Sequence, residues 1–215
     1  DKADGEATAA FWAKNDVKVY GGAPPPCLTF ESANLPAPIM GAIAKAGYQA
    51  PSVIQAQTWP AAMAKRDVIG VAKTGSGKTL GFLVPGFLNV MSRPTDPRMG
   101  PAILVLAPTR ELAMQIDVRR PPCRAPCCCA SHTPPEQPLP YPLSPTPVRS
   151  SQVEAQKFGL PLGIRSVCCY GGSPKGAQLA QMRQGVQCII GTPGRINDFR
   201  EGGQLNLGQV NYLVM

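Results

Sequence analysis

The chain has 215 residues, 44% of them apolar and 16% charged, with a formal net charge of +8 and an isoelectric point near 9.2. That is enough for one domain of ordinary size with a buried core, and the basic balance favours a polyanionic partner. The sequence has no run of about 18 apolar residues, which excludes a membrane-spanning helix, and the acidic, Ala-rich start lacks both the basic and the apolar segment of a secretory signal. A nuclear or cytoplasmic protein, not a secreted one, is therefore expected, with its eight cysteines as thiols. The opening residue is Asp1 and not Met, so we expect a fragment.

Residues 1–26 are polar, then Gly- and Pro-rich, and end in Pro24-Pro25-Pro26; they read as a flexible flanking arm before a domain over 27–215. Leu35, Ile39, Met40 and Ile43 have helical spacing, and Gly47 stands where a helix would stop. Ser52-Val53-Ile54-Gln55 has the form of a capping box that opens a second helix through Trp59 and Met63. Short apolar runs then alternate with helical segments. The predicted strands are Val68–Ala72, Ile103–Ala107, Ser166–Tyr170, Cys188–Gly191 and Tyr212–Met215. Alternation of this kind implies an α/β fold with a mostly parallel sheet covered by helices on both faces. In such sheets ligands gather at the carboxyl ends of the strands. Cys168, Cys169 and Cys188 lie within apolar strands and read as inert core.

At the end of the first predicted strand stands Ala72-Lys73-Thr74-Gly75-Ser76-Gly77-Lys78-Thr79. A Gly-rich turn between strand and helix points successive backbone N–H groups into one concavity, where they can hold phosphate oxygens. Gly75 and Gly77 let the backbone come close with no Cβ in the way. Lys78 is placed to reach the outer phosphates, and the Thr79 hydroxyl to ligate Mg²⁺. The general pattern has Gly at the first position, where this chain has Ala72.

One segment breaks the alternation. From Val118 to Gln152, 35 residues hold ten prolines and four cysteines and show no periodicity. A loop of that length inside a compact domain argues against its belonging there. Cys123, Cys127, Cys128, Cys129 and His132 offer metal-ligand chemistry, but no paired C-x-x-C spacing supports it. Removal of the segment joins Asp117 to Val153 and gives one helix with Leu112, Ile116, Ala155 and Phe158 spaced four, four and three. Every Val codon begins with the GT of a splice donor, one Gln codon is the CAG of an acceptor, and 35 codons keep the frame. The segment thus reads as a retained intron, the other reading being a Pro-rich insertion that binds a partner. As protein it is expected to be disordered.

With these motifs in order, the chain from about Phe30 onward, outside 118–152, resembles the first RecA-like domain of the DEAD-box ATP-dependent RNA helicases. Gly47 to Gln55 resembles the family's Q motif; the resemblance implies that Gln55 reads the adenine edge and that Phe30, 17 residues before Gly47, is the upstream aromatic. Ala72–Thr79 resembles motif I, where Ala at the first position is usual, and implies ATP and Mg²⁺ as ligands. Pro108-Thr109-Arg110 resembles the start of motif Ia, Gly171-Gly172 the GG motif and Thr192-Pro193-Gly194-Arg195 motif Ib. By resemblance these three line the path of an RNA backbone. Their chemistry agrees: Arg110 and Arg195 carry planar donor forks suited to phosphates, and glycines open backbone N–H groups to a close strand. Such contacts read the backbone and not the bases. Partner proteins of ribonucleoprotein particles are a further implication, and no membrane is. Lys65 departs from the family's usual Gly and leads us to expect an altered turn there.

By the same resemblance, the strand at Tyr212–Met215 should run into the Walker B motif, D-E-A-D, which this sequence does not reach. The expected fold is therefore a RecA-like P-loop domain truncated before that motif, and these 215 residues alone are expected to be inactive in hydrolysis. The mechanism implied for the parent is local strand separation: two domains close over RNA with ATP and bend its backbone. Two other readings stay open, a catalytically inactive nucleotide- or RNA-binding or protein-interaction module and a P-loop ATPase or kinase of another kind.

Overall fold

The computed structural model describes residues 2–96, 99–110, 112–113 and 154–215. The segment 118–152, the cysteines and His132 within it, and Ile116 lie outside the described residues. The elements are α1 (Lys2–Asn15), α2 (Ala37–Ala46), α3 (Val53–Met63), α4 (Lys78–Met91), β1 (Ile103–Leu106), α5 (Glu154–Gly159), β2 (Ser166–Cys169), α6 (Lys175–Met182), β3 (Cys188–Gly191), α7 (Pro193–Glu201) and β4 (Tyr212–Val214). The four strands form one parallel sheet in the order β2-β3-β1-β4. In register, Ile103 pairs with Cys188 and Tyr212, and Ser166 pairs with Cys188.

Period-two alternation sends the side chains to two faces. Ile103, Val105, Cys168, Cys188 and Ile190 join one cluster with Ile39 and Ile43 of α2, Trp59 of α3, Leu83, Val84 and Phe87 of α4, and Ala155 and Phe158 of α5. Leu104, Val167, Cys169 and Ile189 join the other, with Ile196 and Phe199 of α7. Both faces are therefore covered, as the near-continuous apolar strands require. α2 ends at Gly47, in the left-handed conformation at φ 75°. Thr109 opens the next helical turn after β1: its Oγ1 accepts from the Leu112 N–H at 3.3 Å, and its carbonyl accepts from the Ala113 N–H at 3.1 Å.

Four features differ from the sequence reading. Val68–Ala72 is not a strand. A strand exists by pairing, and among the described residues β4 is the outermost strand on that side of the sheet. Ile69 and Val71 are accordingly 97% and 93% exposed. The segment lies along α3, where a Cβ on Gly70 would stand 3.3 Å from Ile54 Cδ1. The flanking arm contains α1, which the sequence hides because that helix has no apolar stripe. Leu112, expected on a buried helix face, is 40% exposed, and its neighbour Ala113 is buried instead. Lys65 does not alter its turn: it takes the left-handed φ of 59° that a glycine would take, at a cost of about 1 kcal/mol.

Candidate nucleotide and nucleic-acid site

The direction of α4 places the Gly-rich turn. Asn89 near the end of α4 donates to Asn211 Oδ1 at 2.8 Å, just before β4 begins, and Gly86 stands against Tyr212 and Ile103. α4 thus runs antiparallel to β4, so its first residue, Lys78, lies toward the carboxyl end of the sheet. Gly77 caps α4 at φ 89° and Gly75 sits at φ 79°, conformations a Cβ disfavours. Lys78 Nζ donates to the carbonyls of Ala72 and Lys73 across the turn, the latter at 2.8 Å. The ammonium is thereby held over the concavity. Ser76 Oγ is buried and has no hydrogen-bond partner. A buried hydroxyl without a partner is costly, and phosphate oxygens would satisfy it. The residues present therefore fit a bound phosphate chain. Thr79 is half-buried in the first turn of α4. Among the described residues no group of three or more His, Cys, Asp or Glu could hold a metal, so a divalent cation would need phosphate oxygens beside Thr79.

Gln55 meets this turn from α3. It is 6% exposed; its Oε1 accepts from the Ser52 N–H at 3.0 Å and its Nε2 donates to the Gly77 carbonyl at 3.0 Å. The bond from the Ser52 N–H is the Gln55 half of the expected capping box, with Ser52 at the N-cap of α3. A carboxamide has two N–H donors and two oxygen lone pairs. One of each therefore remains on Gln55. Phe30, expected as the upstream aromatic, is 6% exposed and packs on Trp59 with ring centroids 6.1 Å apart. In this structure it supports α3 from the core and does not offer an open face.

The remaining motifs lie at the carboxyl ends of β1, β2 and β3. The Ala107 N–H donates to Gly191 O and the Thr192 N–H to Cys169 O, each at 2.9 Å, which ties the three loops edge to edge. Pro108, Thr109 and Arg110 are exposed, as are Gly171, Gly172, Pro193 and Gly194, with Thr192 half-buried. Arg110 reaches the GG loop: a Cβ on Gly172 would stand 2.8 Å from its Nη1. Arg195 corrects the sequence reading. It is 8% exposed, its Nη1 donates to Ser173 O and Gln178 Oε1 at 3.1 Å each, and its guanidinium lies 5.6 Å over the Phe199 ring. Its Nη1 is engaged by a carbonyl and an amide oxygen and its guanidinium is covered by an aromatic face, while its Nε is buried without a hydrogen-bond partner, 3.8 Å from Asp198 Oδ2. What it does is lock the start of α7 to the GG loop and α6. Gln178, itself 4% exposed, also donates to Tyr170 O at 3.1 Å, and it is a supporting residue that no motif announced.

This arrangement has close counterparts. The model of the DEAD/DEAH box helicase family matches residues 52–119 and 143–215. The chain is 44% identical over 207 residues to DEAD-box ATP-dependent RNA helicase 46 of Arabidopsis thaliana, covering 96% of this chain and 27% of that protein. It is 41% identical over 207 residues to the ATP-dependent RNA helicase-like protein DB10 of Nicotiana sylvestris, covering 96% of this chain and 28% of that protein. Among solved structures, the RNA helicase Prp28 of Chaetomium thermophilum bound to ADP superposes with a TM-score of 0.68 at 34% identity, over 90% of this chain and 39% of that one. The yeast DEAD-box splicing factor Prp28 gives 0.71 at 27% identity, over 94% and 41%. The chain thus spans about a quarter of the length of the curated relatives it matches. No helix among the described residues is long and apolar enough to cross a membrane. With a parallel sheet, a Gly-rich turn at its carboxyl end and a family model matched on both sides of 120–142, this chain belongs to the DEAD/DEAH box helicase family.

Proposed function

We propose that these residues form the nucleotide-binding lobe of an ATP-dependent RNA helicase. The observation that carries the reading is Gln55. Its amide lies against the phosphate-binding turn with one donor and one acceptor to spare, which is the pair that an adenine edge presents to a carboxamide. Ala72 to Thr79 hold the phosphates, Lys78 neutralises their charge, and the Thr79 hydroxyl is this lobe's ligand to Mg²⁺. When bound, Mg²⁺ supplies further charge neutralisation on the phosphates.

Pro108, Thr109 and Arg110, with Gly171, Gly172 and the exposed Gly194 N–H, take an RNA backbone. Arg195 acts behind them by fixing the loop it is buried under. Backbone contacts of this kind make binding independent of base sequence and steep in salt. A second lobe, partner proteins of a ribonucleoprotein particle and a nuclear or cytoplasmic setting complete the reading.

Titration of the chain with ADP and GDP tests the carrying observation. The expected result is tighter binding of ADP, with the difference lost in Gln55→Ala. Equal affinities in the unaltered chain would overturn the adenine assignment. RNA-stimulated ATP hydrolysis by the protein carrying both lobes tests the activity.

A further inference from the structure

Pro60 leaves a defect in α3 that Cys27, the residue directly after the flanking arm, repairs. The Ala56 carbonyl should accept from the N–H four residues on, but that residue is Pro60 and has none. The Cys27 N–H fills the place at 3.0 Å, and Cys27 Sγ stands 3.4 Å from the same oxygen. From there the arm runs back along the helix. Gln57 Nε2 donates to the Pro24 carbonyl at 3.1 Å, and Gln57 Oε1 accepts from the Trp12 indole N–H at 2.7 Å. The indole can only donate and the carbonyl can only accept, so the amide has one orientation. Past the end of α3, Arg66 gives both forks to consecutive carbonyls, Nη1 to Gly22 O at 2.9 Å and Nη2 to Gly21 O at 2.8 Å. Gly21 and Gly22 present both oxygens by taking φ of 79° and 62° in succession, which side chains resist. The attachment therefore spans α3 from its first turn to beyond its last, and its two anchors nearest the site, Ala56 and Gln57, follow directly on Gln55.

We propose that Trp12 and Gln57 are positioning residues for adenine recognition: the arm braces the first turn of α3 and so holds the Gln55 amide in place against Gly77. The inference rests on the reading of Gln55 given above. The phosphate turn belongs to α4, one helix removed from the brace, and meets α3 through the Gln55 bond to Gly77 O. Loss of the brace should therefore lower adenine selectivity more than phosphate affinity.

Calorimetric titration of the full chain with ADP and with GDP tests this, in Trp12→Phe, Gln57→Leu and Gln55→Ala. Trp12→Phe keeps an aromatic ring and removes the indole N–H together with its five-membered ring. Gln57→Leu removes both bonds at similar volume. The expected outcome is a fall in the ADP-to-GDP affinity ratio of about threefold to tenfold in either brace variant, the equivalent of one net hydrogen bond, with GDP affinity unchanged. Should Gln57→Leu fail to fold, Trp12→Phe decides. If Gln55→Ala collapses the ratio while Trp12→Phe and Gln57→Leu keep it, or lower both affinities equally, the brace is structural only and the inference is overturned. If Gln55→Ala itself leaves the ratio intact, the adenine reading falls and this inference falls with it.

Discussion

Gly75 and Gly77 stand two residues apart in the same turn, at φ 79° and 89°, yet they differ in what a side chain would meet. Around Gly75 nothing lies within 4 Å of an added Cβ, whereas at Gly77 the Cβ would stand 2.6 Å from Gln55 Nε2 and 2.8 Å from Ser52 Oγ. Alanine at either position carries the left-handed penalty of about 1–2 kcal/mol. Only Gly77→Ala adds a collision. Gln55 is buried, so its amide cannot swing into solvent to escape; it loses its bond to Gly77 O and strands a polar group, at a further cost of roughly 1–3 kcal/mol. Gly77→Ala should therefore be less stable than Gly75→Ala by roughly 1–3 kcal/mol, read as the difference in urea midpoints at unchanged slope. It should also lose the preference for ADP over GDP, which Gly75→Ala should keep. Equal midpoints for the two variants would refute the claim that Gln55 and Gly77 are in tight contact.

Lys78 is the one side-chain cation held across the turn among the described residues, so Lys78→Ala should lower ADP affinity at least about tenfold, the weight of a charge-assisted contact; undiminished affinity by calorimetry would reject the phosphate site. Arg195→Ala should destabilise the fold by roughly 2–4 kcal/mol, since it strands Gln178 and Ser173 O. Arg110→Ala should cost less stability and weaken RNA binding evenly across sequences; urea titration and RNA titration of both variants would expose the reverse order. Burial pushes the Tyr212 hydroxyl up from 10.0 to about 12. Its neutral form is thus favoured in the fold, so this contribution is intact below pH 10 and is lost as pH rises from 10 to about 12. Tyr212→Phe should flatten that alkaline loss of stability, and an unchanged pH profile of thermal unfolding would count against it.

The elements with a strong period or a strong punctuation mark were legible in the sequence. β3 matches its predicted span, β1, β2 and β4 fall one residue short, and Gly47 and Ser52 mark a helix end and a helix start. What the sequence hid was set by tertiary context. Val68–Ala72 has the composition of a strand, but pairing is a property of two segments, and its own residues cannot report a missing neighbour. Arg195 and Arg110 look alike as donor forks; burial by Gln178 and Phe199 separates them, and both partners lie in other motifs or between them. Phe30 is an aromatic at the expected distance from the Q motif, and only its packing on Trp59 shows that its ring supports α3. The brace was half legible: a proline four residues after Ala56 announces an unpaired carbonyl, while Trp12, 45 residues away from Gln57, announces nothing.

The last prediction concerns 118–152. Thr109 caps the start of a helix after β1, and α5 resumes at Glu154 with only six residues. Ala113, Ala155 and Phe158 are buried in the same core cluster. With 118–152 removed, Ala155 would follow Ala113 by seven residues and Phe158 by ten, which is one face of one helix. The buried position is thus Ala113 and not Leu112, and the family match breaks off between residues 119 and 143. A short helix is weak alone, because its nucleation is not spread over many bonds. Two short pieces separated by 35 further residues also carry the entropy of closing the chain between them, on the order of 3 kcal/mol. We therefore expect the mature message to join the codons of Asp117 and Val153. We also expect a deletion of 118–152 to raise the urea midpoint and the helical signal together. A mature transcript that still encodes Cys127-Cys128-Cys129, together with a deletion variant no more stable than the parent, would show that the segment belongs to the fold.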